Sequence, residues 1–396
     1  MVVIVNALRT PIGKYGGSLA NTTPEDLVAS VMNNILAHTG FRPDIIDEVI
    51  VGQTKQSAHA PNIARVALLK AGFSESVPAY TVHQQCGSGM QAVQNACMSI
   101  MSGHSEIVLA GGVEVMSQAP YYFVGQRFGM PVGNMAVYDS NTESQPRSQP
   151  HERYGTFTMG ETAEILAEKY EITREEQDEF AYHSQSKARK AIQSERFNDE
   201  IVPIEVKEGR KGVRLFAVDE YPRETEIEKM AALPPVFRKD GTVTAGNSSG
   251  RNDGAAMLLL MKEEKAKKLG LTPMAKIRSF ASAGVSPKEM GIGPVPASKK
   301  ALHMGGLTLK DMQLIEVNEA FAAQSLAVLK EWGISHENVN VNGGAIALGH
   351  PLGCSGARIL VTLTHEMQKR DTKYGLATLC VAGGQGIATV IEKWKQ

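Results

Sequence analysis

The sequence contains few of the residues that stabilise or target specialised proteins. Only four of its 396 residues are cysteines, and aromatic residues make up 6%. Four cysteines could form at most two disulfides, which are too few to stabilise a chain of this length. We therefore expect reduced thiols that do not serve as structural crosslinks. The 42% hydrophobic and 21% charged residues are ordinary for a globular protein, which excludes a disordered or fibrous chain.

An excess of charge of one sign is also missing. With 41 basic and 42 acidic residues the net charge is −1, which leaves no electrostatic basis for binding nucleic acid or an anionic membrane. The longest apolar stretches, such as residues 254–261, are far shorter than the roughly 18 residues that span a bilayer. The first residues lack the pattern of a secretory signal. We therefore expect a cytoplasmic protein that acts on a small molecule.

Local patterns predict an α/β fold. Short β-branched runs at 2–5, 49–51, 107–110 and 376–381 alternate with helical segments, as buried strands do. Thr23 and Pro24 predict a helix start, and Gly40 lies beyond its end. A capping box at Thr173 predicts a long helix to about Ser194 whose charged face is solvated.

The chain is too long for a single core of ordinary size, and its organisation suggests a duplication. The segment 120–251 is polar and rich in proline, and we expect it to be an inserted loop domain. The portions 1–119 and 271–396 each run in the order cysteine, small residues, helix, strand and Gly-Gly, from Cys86 and Cys354 respectively. Residues 252–270 are expected to be a connecting stretch that belongs to the first portion.

The stretch TVHQQCGSGMQAV, residues 81–93, allows two interpretations. Gly87, Gly89 and Ala92 have the G-x-G-x-x-A spacing of a dinucleotide-binding turn. Such a turn needs an acidic residue at the end of the next strand, whereas Glu106 precedes that strand. If instead Cys86 lies between a strand and a helix, the unpaired N–H groups of the helix start would stabilise a thiolate and an oxyanion. A small buried structural cysteine is the remaining alternative.

The C-terminal third adds three polar residues in special positions. Asn318 lies at a strand-to-helix junction, His350 in a glycine-rich loop and Cys380 at the end of a strand. Each taken alone could be a helix cap, a loop histidine or a core thiol. His350 and Cys354 have the i, i+4 spacing of metal ligands, but Pro351 interrupts a helix there and no second ligand pair follows. We therefore expect no metal.

With these segments in place, the chain resembles the thiolase family over nearly its whole length. The resemblance is carried by ALRTPIGKYGGSL, QQCGSGMQAV, AGGVEVMSQAPY, MGETAE, DGTVTAGNSSGRNDGAA, GIGPVPA, VNEAFA, GGAIALGHPLGCSGAR and CVAGGQG. It implies the thiolase fold, in which two duplicated α/β halves pack as five alternating αβαβα layers. The expected halves are 1–119 with 252–270 and 271–396, with a CoA-binding loop domain at 120–251. The family also implies a homodimer or homotetramer.

The resemblance implies a role for each candidate residue. Cys86 would be the nucleophile that carries an acyl group, and His350 would accept its proton. Cys380 would act as acid and base on the second substrate. Asn318 would position a water that forms one oxyanion hole with His350, and the backbone N–H groups of Cys86 and Ala382 would form a second. Thioesters already carry an acidified α-proton and a leaving group, so no metal or redox cofactor is expected.

Substrate contacts follow from the same motifs. Ser249 and Ala245 would touch the pantetheine of CoA, and Met159, Met290 and Phe321 would line the acyl pocket. If these three side chains crowd the space beyond an acetyl group, short chains are preferred. The loop domain would hold the nucleotide end of CoA.

Three positions depart from the family's usual residues. His83 stands where many members have asparagine, Thr158 where short-chain members often have histidine, and Ala382 where a glycine is usual. We expect these residues to change the hydrogen bonding around the thiolate and the contacts with CoA. The expected activity is that of an acetyl-CoA acetyltransferase, working on acetyl-CoA and CoA. The alternatives are a 3-ketoacyl-CoA thiolase acting on longer chains in fatty acid β-oxidation and a non-catalytic thiolase-like lipid-binding protein.

Overall fold

A computed structural model describes residues 1–130, 132–207 and 212–394. The strands are β1 (Val2–Arg9), β2 (Gly13–Lys14), β3 (Glu48–Gly52), β4 (Ala79–Val82), β5 (Ile107–Val115), β6 (Tyr121–Tyr122), β7 (Tyr138–Asp139), β8 (Ile204–Lys207), β9 (Val213–Phe216), β10 (Asn252–Lys262), β11 (Ala275–Gly284), β12 (Leu314–Val317), β13 (Tyr374–Val381) and β14 (Gln385–Lys393). The helices are α1 (Pro24–Thr39), α2 (Ile63–Lys70), α3 (Ser88–Met101), α4 (Ser140–Glu143), α5 (His151–Tyr154), α6 (Met159–Lys169), α7 (Arg174–Gln193), α8 (Ile227–Ala231), α9 (Glu263–Lys268), α10 (Pro294–Gly305), α11 (Ala322–Trp332), α12 (Ala345–Leu348) and α13 (Leu352–Arg370).

The main sheet consists of two half-sheets joined at one narrow point. Its strand order is β12-β13-β14-β11-β1-β10-β5-β3-β4, and β2 pairs with β10. The link between β1 and β11 consists of two residue pairs, whereas β10 pairs with β5 along its length from Asp253 to Met261. Strands from the first part of the chain therefore form one half-sheet, and strands from the last part form the other.

Alternating side chains assemble five layers around these half-sheets. In β3, Val51 packs in a cluster with α1 and α2, while Ile50 faces a central layer formed by α3 and α13. In the second half-sheet, Leu379 faces the same central layer and Val390 packs against α10 and α11 on the outside. Full burial of each such side chain stabilises the fold by about 1.5–3 kcal/mol, so the period-two pattern determines which helices cover which face. The expected αβαβα order is confirmed.

The helix boundaries follow the capping signals in the sequence. The Thr23 hydroxyl accepts from the N–H of Asp26 at the start of α1, and Gly40 ends that helix with φ 69°. The capping box at Thr173 opens α7, also as expected. This helix is not solvated all round, because Phe180 and Ser184 lie on a buried face that packs against neighbouring helices.

The segment 120–251 differs from the two halves. Its described strands pair as two small sheets, β6 with β7 and β8 with β9. The stretch expected to connect, 252–270, instead opens with the long strand β10, which lies between β1 and β5. The small and apolar residues of β10 do not alternate with polar ones, as is typical of a strand buried on both faces. The alternation that indicates a half-buried strand is therefore missing from its sequence. Within the described ranges, no helix is both long and apolar enough to cross a membrane.

Candidate active site

A cavity of about 330 Å³ brings most of the predicted site residues together. Eight of them line it: Cys86, His350, Cys380, Ser249, Met159, Met290, Phe321 and Ala382. Asn318 lies directly behind His350 and is fully buried. Ala245 is exposed and is not among the residues that line the cavity. The two halves of the chain and the segment between them all contribute to the cavity walls.

Cys86 lies in the turn between β4 and α3, as expected. The preceding Gln85 adopts φ 47°, a left-handed conformation that non-glycine residues rarely adopt. Ser88 fixes this turn, because its hydroxyl donates to the carbonyl of Gln85 at 2.6 Å and accepts from the N–H of Gln84 at 2.8 Å. The local hydrogen bonds thus hold a strained backbone that presents Cys86 to the cavity.

Opposing effects determine the resting state of Cys86. Burial raises the pKa of its thiol to about 11, while hydrogen bonds from the backbone of Ala382 and of Cys86 itself, and the charge of Lys55, act in the opposite direction. Loss of water around the sulfur outweighs the helix terminus. The backbone N–H groups at the helix start therefore favour the thiolate, as expected, but burial favours the thiol more strongly at rest.

His350 lines the same cavity as Cys86 and lies on a tightly fixed loop. Asn252 accepts a hydrogen bond from its backbone N–H at 3.0 Å, and Gly349, with φ 103°, lies so close to the Asn252 amide that a Cβ there would come within 2.3 Å. Only glycine tolerates both constraints. This contact fixes the backbone from which the His350 ring projects.

The hydrogen bonds of His350 define which ring nitrogen is free. Nδ1 is 2.6 Å from the Ser355 hydroxyl, which itself donates to the carbonyl of Pro351 at 2.9 Å. Since a carbonyl only accepts and a hydroxyl has one hydrogen, this network assigns the imidazole proton to Nδ1. Burial and the charge of Arg358 lower the His350 pKa to about 3, so the ring is neutral and Nε2 carries a lone pair.

Asn318 follows the end of β12 and has its Nδ2 3.5 Å from Nε2 of His350. Its Oδ1 is buried and makes no hydrogen bond within the structure. The loop that carries it is fixed by the buried Glu319, which accepts from Ser184 at 2.6 Å and from Asn340 at 2.8 Å. An unpartnered amide oxygen beside a base is suited to holding a water or a polar hydrogen of a substrate.

Cys380 lies near the end of β13 and is 1% exposed. Burial raises the pKa of its thiol, and the proximity of Cys86 raises it further. Cys97 and Cys354 are also buried, with pKa values raised to about 12, but neither lines the cavity. Two of the four cysteines therefore line the same cavity.

One wall of the cavity is apolar. Phe321 meets Phe237 edge to face with ring centroids 6.0 Å apart, and Met159 and Met290 belong to the same hydrophobic cluster. Ser249 is held beside this wall by its N–H, which donates to the carbonyl of Ala320 at 3.0 Å.

The three departures have different surroundings. Thr158 caps α6 in a capping box with Glu161, so its hydroxyl serves the helix start. His83 is exposed outside the cavity lining, and Ala382 lies at the cavity wall.

The cavity also has a polar wall that the sequence motifs did not predict. Ser144 lines the cavity, and Lys55 lies behind it with its Nζ donating to the Ser144 hydroxyl and to the carbonyl of Ser140. Glu114 of β5 fixes the loop of Lys55, since its carboxylate accepts from the N–H of Lys55 at 3.0 Å and from that of Gly353 at 2.9 Å. The sequence signal for this polar wall is a lysine shortly after the buried strand β3. Among the described residues, no group of three or more His, Cys, Asp or Glu side chains is arranged to hold a metal ion.

Family models for "Thiolase, N-terminal domain" and "Thiolase, C-terminal domain" match residues 2–264 and 271–393. The chain belongs to the thiolase family. An acetyl-CoA acetyltransferase of Escherichia coli K12 is 52% identical over 393 residues, covering 99% of this chain and 98% of that protein.

Solved thiolase-family structures superpose closely on this one. The crystal structure of the Bacillus anthracis acetyl-CoA acetyltransferase has a TM-score of 0.96 at 50% identity, covering 99% and 98% of the two chains. Human mitochondrial 3-ketoacyl-CoA thiolase in complex with CoA has a TM-score of 0.94 at 44% identity, covering 99% and 98%. The thiolase fold is therefore established for this chain.

Proposed function

We propose that this protein is an acetyl-CoA C-acetyltransferase, which joins two acetyl-CoA into acetoacetyl-CoA and CoA and catalyses the reverse thiolysis. The observation that carries the proposal is the meeting of Cys86, His350 and Cys380 at one cavity. Relatives of about 50% identity over the full chain are named acetyl-CoA acetyltransferases, which supports this substrate.

The first half-reaction transfers an acetyl group to Cys86. Nε2 of His350 removes the thiol proton, and the sulfur attacks the carbonyl of acetyl-CoA. The C–S bond to CoA then breaks, and the leaving CoA sulfur takes the thiol proton of Cys380, so that CoA leaves as the thiol and Cys380 remains as the thiolate. The backbone N–H groups of Cys86 and Ala382, which bond toward the Cys86 sulfur, are suited to stabilising the oxyanion of this acyl group.

The second half-reaction forms a carbon–carbon bond. Cys380, as thiolate, removes a proton from the α-carbon of a second acetyl-CoA, and the resulting carbanion attacks the acetyl carbonyl on Cys86. Collapse of the adduct breaks the thioester and returns the Cys86 sulfur to His350 for reprotonation. His350 and a water positioned by Asn318 together hold the carbonyl oxygen of the second acetyl-CoA. The free Oδ1 of Asn318 is an available acceptor for that water.

Different residues of the cavity contact different parts of the substrate. Ser249 contacts the pantetheine, and the apolar wall of Met159, Met290 and Phe321 limits the acyl chain to short lengths. Ala245 is exposed and would contact only a part of CoA that lies outside the cavity. The segment 120–251 holds the nucleotide end of CoA.

No metal or redox cofactor takes part in this scheme. We further propose that the protein is cytoplasmic and works as a homodimer or homotetramer.

A 3-ketoacyl-CoA thiolase for longer chains is the second candidate, supported by the structural likeness to the human mitochondrial enzyme. Methionines adapt their shape, and an apolar pocket discriminates one methylene by only about 1–3 kcal/mol. Comparing kcat/KM for thiolysis of acetoacetyl-CoA with that for medium- and long-chain 3-ketoacyl-CoA decides between them. A steady rise with chain length would replace the first proposal by the second. Incubation with acetyl-CoA and peptide mass analysis should find the acetyl group on Cys86, and a label on Cys97 or Cys354 would contradict the mechanism.

A further inference from the structure

Lys55 is a buried cation beside the catalytic cavity with no function in the scheme above. It follows β3 and is 6% exposed. Its Nζ donates to the carbonyl of Ser140 and to the hydroxyl of Ser144, which lines the cavity. Both partners are neutral, and the carboxylate of Glu114, which makes no direct contact with Nζ, acts to raise the pKa of Lys55.

No carboxylate of the residues that the structure describes lies within 4.0 Å of the Lys55 Nζ. Glu114 is the nearest candidate in the fold, but its carboxylate is occupied by the backbone N–H groups of Thr54, Lys55 and Gly353 and by the Thr54 hydroxyl. Buried lysines are nearly always paired, because an ammonium without water or a counterion is costly. Without a direct ion pair, the Lys55 ammonium is free to stabilise an anion that forms in the adjacent cavity.

We propose that Lys55 is the fixed counterion of the Cys86 thiolate, and so promotes formation of the nucleophile. Cys86 opens on the same cavity as Ser144, the residue that holds Nζ. The effect of the Lys55 charge is to lower the pKa of Cys86, against the larger effect of burial. Burial also lowers the pKa of Lys55, whereas the charges of Glu114, Cys86 and Asp139, in that order, act to raise it. Each group therefore favours the charged form of the other, as expected for two groups that form an ion pair when the thiol loses its proton.

Other charged groups around this pair are few and have their own partners. Arg251 lies 4.0 Å from Asp139 at the cavity rim, and Glu114 is hydrogen-bonded as described. His350 and Cys380 are neutral at rest. Among the reactive groups of the cavity, Cys86 is the one whose pKa the Lys55 charge affects, so the loss of that charge should be detected there. Lys55 is a positioning residue in this sense, since it acts on the sulfur and not on the acyl group.

The proposal rests on Cys86 as nucleophile, but its test needs no CoA substrate. Alkylation of Cys86 by iodoacetamide, followed by peptide mass analysis between pH 7.5 and 9.5, reports the thiolate fraction. Lys55→Met should raise the pKa of Cys86, so alkylation at each pH should fall by at least about threefold. Lys55→Gln keeps polarity beside Ser144 without the charge and should show the same loss, which covers the case in which the Met variant does not fold.

Lys187 offers a matched control. It is a partly buried lysine whose pKa is also lowered by burial, and its Nζ donates to the carbonyls of His336 and Val339, away from the cavity. Lys187→Met should leave the alkylation profile of Cys86 unchanged.

A folded Lys55→Met with the wild-type alkylation profile overturns the proposal. This holds even if that variant selectively loses turnover of a thioester such as succinyl-CoA, since Lys55 would then contact a substrate carboxylate. Failure of acetoacetyl-CoA thiolysis in the wild type would instead contradict the proposed function and leave the alkylation result valid.

Discussion

Replacing Ser355 by alanine tests whether the tautomer of His350 controls acyl transfer. Ser355 is fully buried, and its hydroxyl is the hydrogen-bond partner of Nδ1 of His350 at 2.6 Å. Ser355→Ala removes one oxygen atom from this site and leaves the Nδ1 proton without an acceptor. The alternative tautomer, with its proton on Nε2, would face the Nδ2 donor of Asn318 and could not accept the Cys86 proton.

The size of the effect follows from one hydrogen bond. A neutral hydrogen bond in a folded protein contributes about 0.5–1.5 kcal/mol, which equals a two- to tenfold preference for the active tautomer. In Ser355→Ala both tautomers leave one ring nitrogen without a suitable partner, so this preference is lost. If the two tautomers become equally populated, the active fraction falls from about 70–90% to about 50%, so we expect the rate of acetylation of Cys86 to fall by up to about twofold, with little change in the KM for acetyl-CoA. The free energy of unfolding should fall by about 1–2 kcal/mol.

Single-turnover acetylation with labelled acetyl-CoA measures this rate directly. Thr364 provides the control on the same helix, because its buried hydroxyl also donates to a carbonyl four residues earlier, at 2.7 Å, but touches no histidine. Thr364→Val should lose a similar amount of stability and keep the acetylation rate. Equal acetylation rates in Ser355→Ala and the wild type would refute the tautomer argument.

Three further substitutions test other parts of the structure. Cys380→Ser should still acquire the acetyl label at Cys86 but lose condensation about 100-fold or more, because a hydroxyl is a poor base near neutral pH; near-normal condensation would contradict its assigned role. Burial raises the pKa of Glu316 to about 8 from its usual 4.5. The contribution of this carboxyl group to the free energy of unfolding is therefore fully present below pH 4.5. It is lost as the pH rises to 8, at up to about 1.4 kcal/mol per pH unit. Urea unfolding of Glu316→Gln should lack that component, and an unchanged pH slope would exclude the assignment. Arg9→Met leaves two buried carboxylates without their cation and should cost about 3–5 kcal/mol in urea unfolding, whereas a loss below about 1 kcal/mol would show that the ion pairs are not stabilising.

Residues whose environment depends on neighbours along the chain were predictable from sequence. Thr23, Gly40 and Thr173 act on groups a few residues away, and the helices begin and end where they indicate. The turn at Cys86 is likewise local, since strand, glycines and helix follow one another. For this reason the nucleophile candidate and its place between a strand and a helix are predictable from the sequence alone.

Other properties of the site depend on groups distant in sequence. The high pKa of Cys86 comes from loss of water, which only the packed cavity produces. Lys55 meets the Ser144 hydroxyl across 89 positions of sequence, so no local pattern predicts that it is buried. Strand β10 could not be placed for a similar reason, because its central position is determined by pairing with β1 and β5. Ala245, predicted from a motif alone, is exposed.

The glycines of the G-x-G-x-x-A motif show why spacing by itself is ambiguous. A Cβ at Gly89 of this motif would lie 2.6 Å from the carbonyl oxygen of Gly353, and a Cβ at Gly112, which lies outside the motif in β5, would lie 2.0 Å from the same atom. These glycines therefore make room for the start of α13 beside the start of α3 in the central layer. A dinucleotide-binding turn uses its glycines to let a pyrophosphate approach the backbone. Here the other half of the chain occupies that space, and Glu114 accepts the N–H of Gly353 at the point of contact. The dinucleotide interpretation is excluded by this packing. The same contact brings the loop of His350 to the turn of Cys86, so the close approach of the two halves is what assembles the reactive groups.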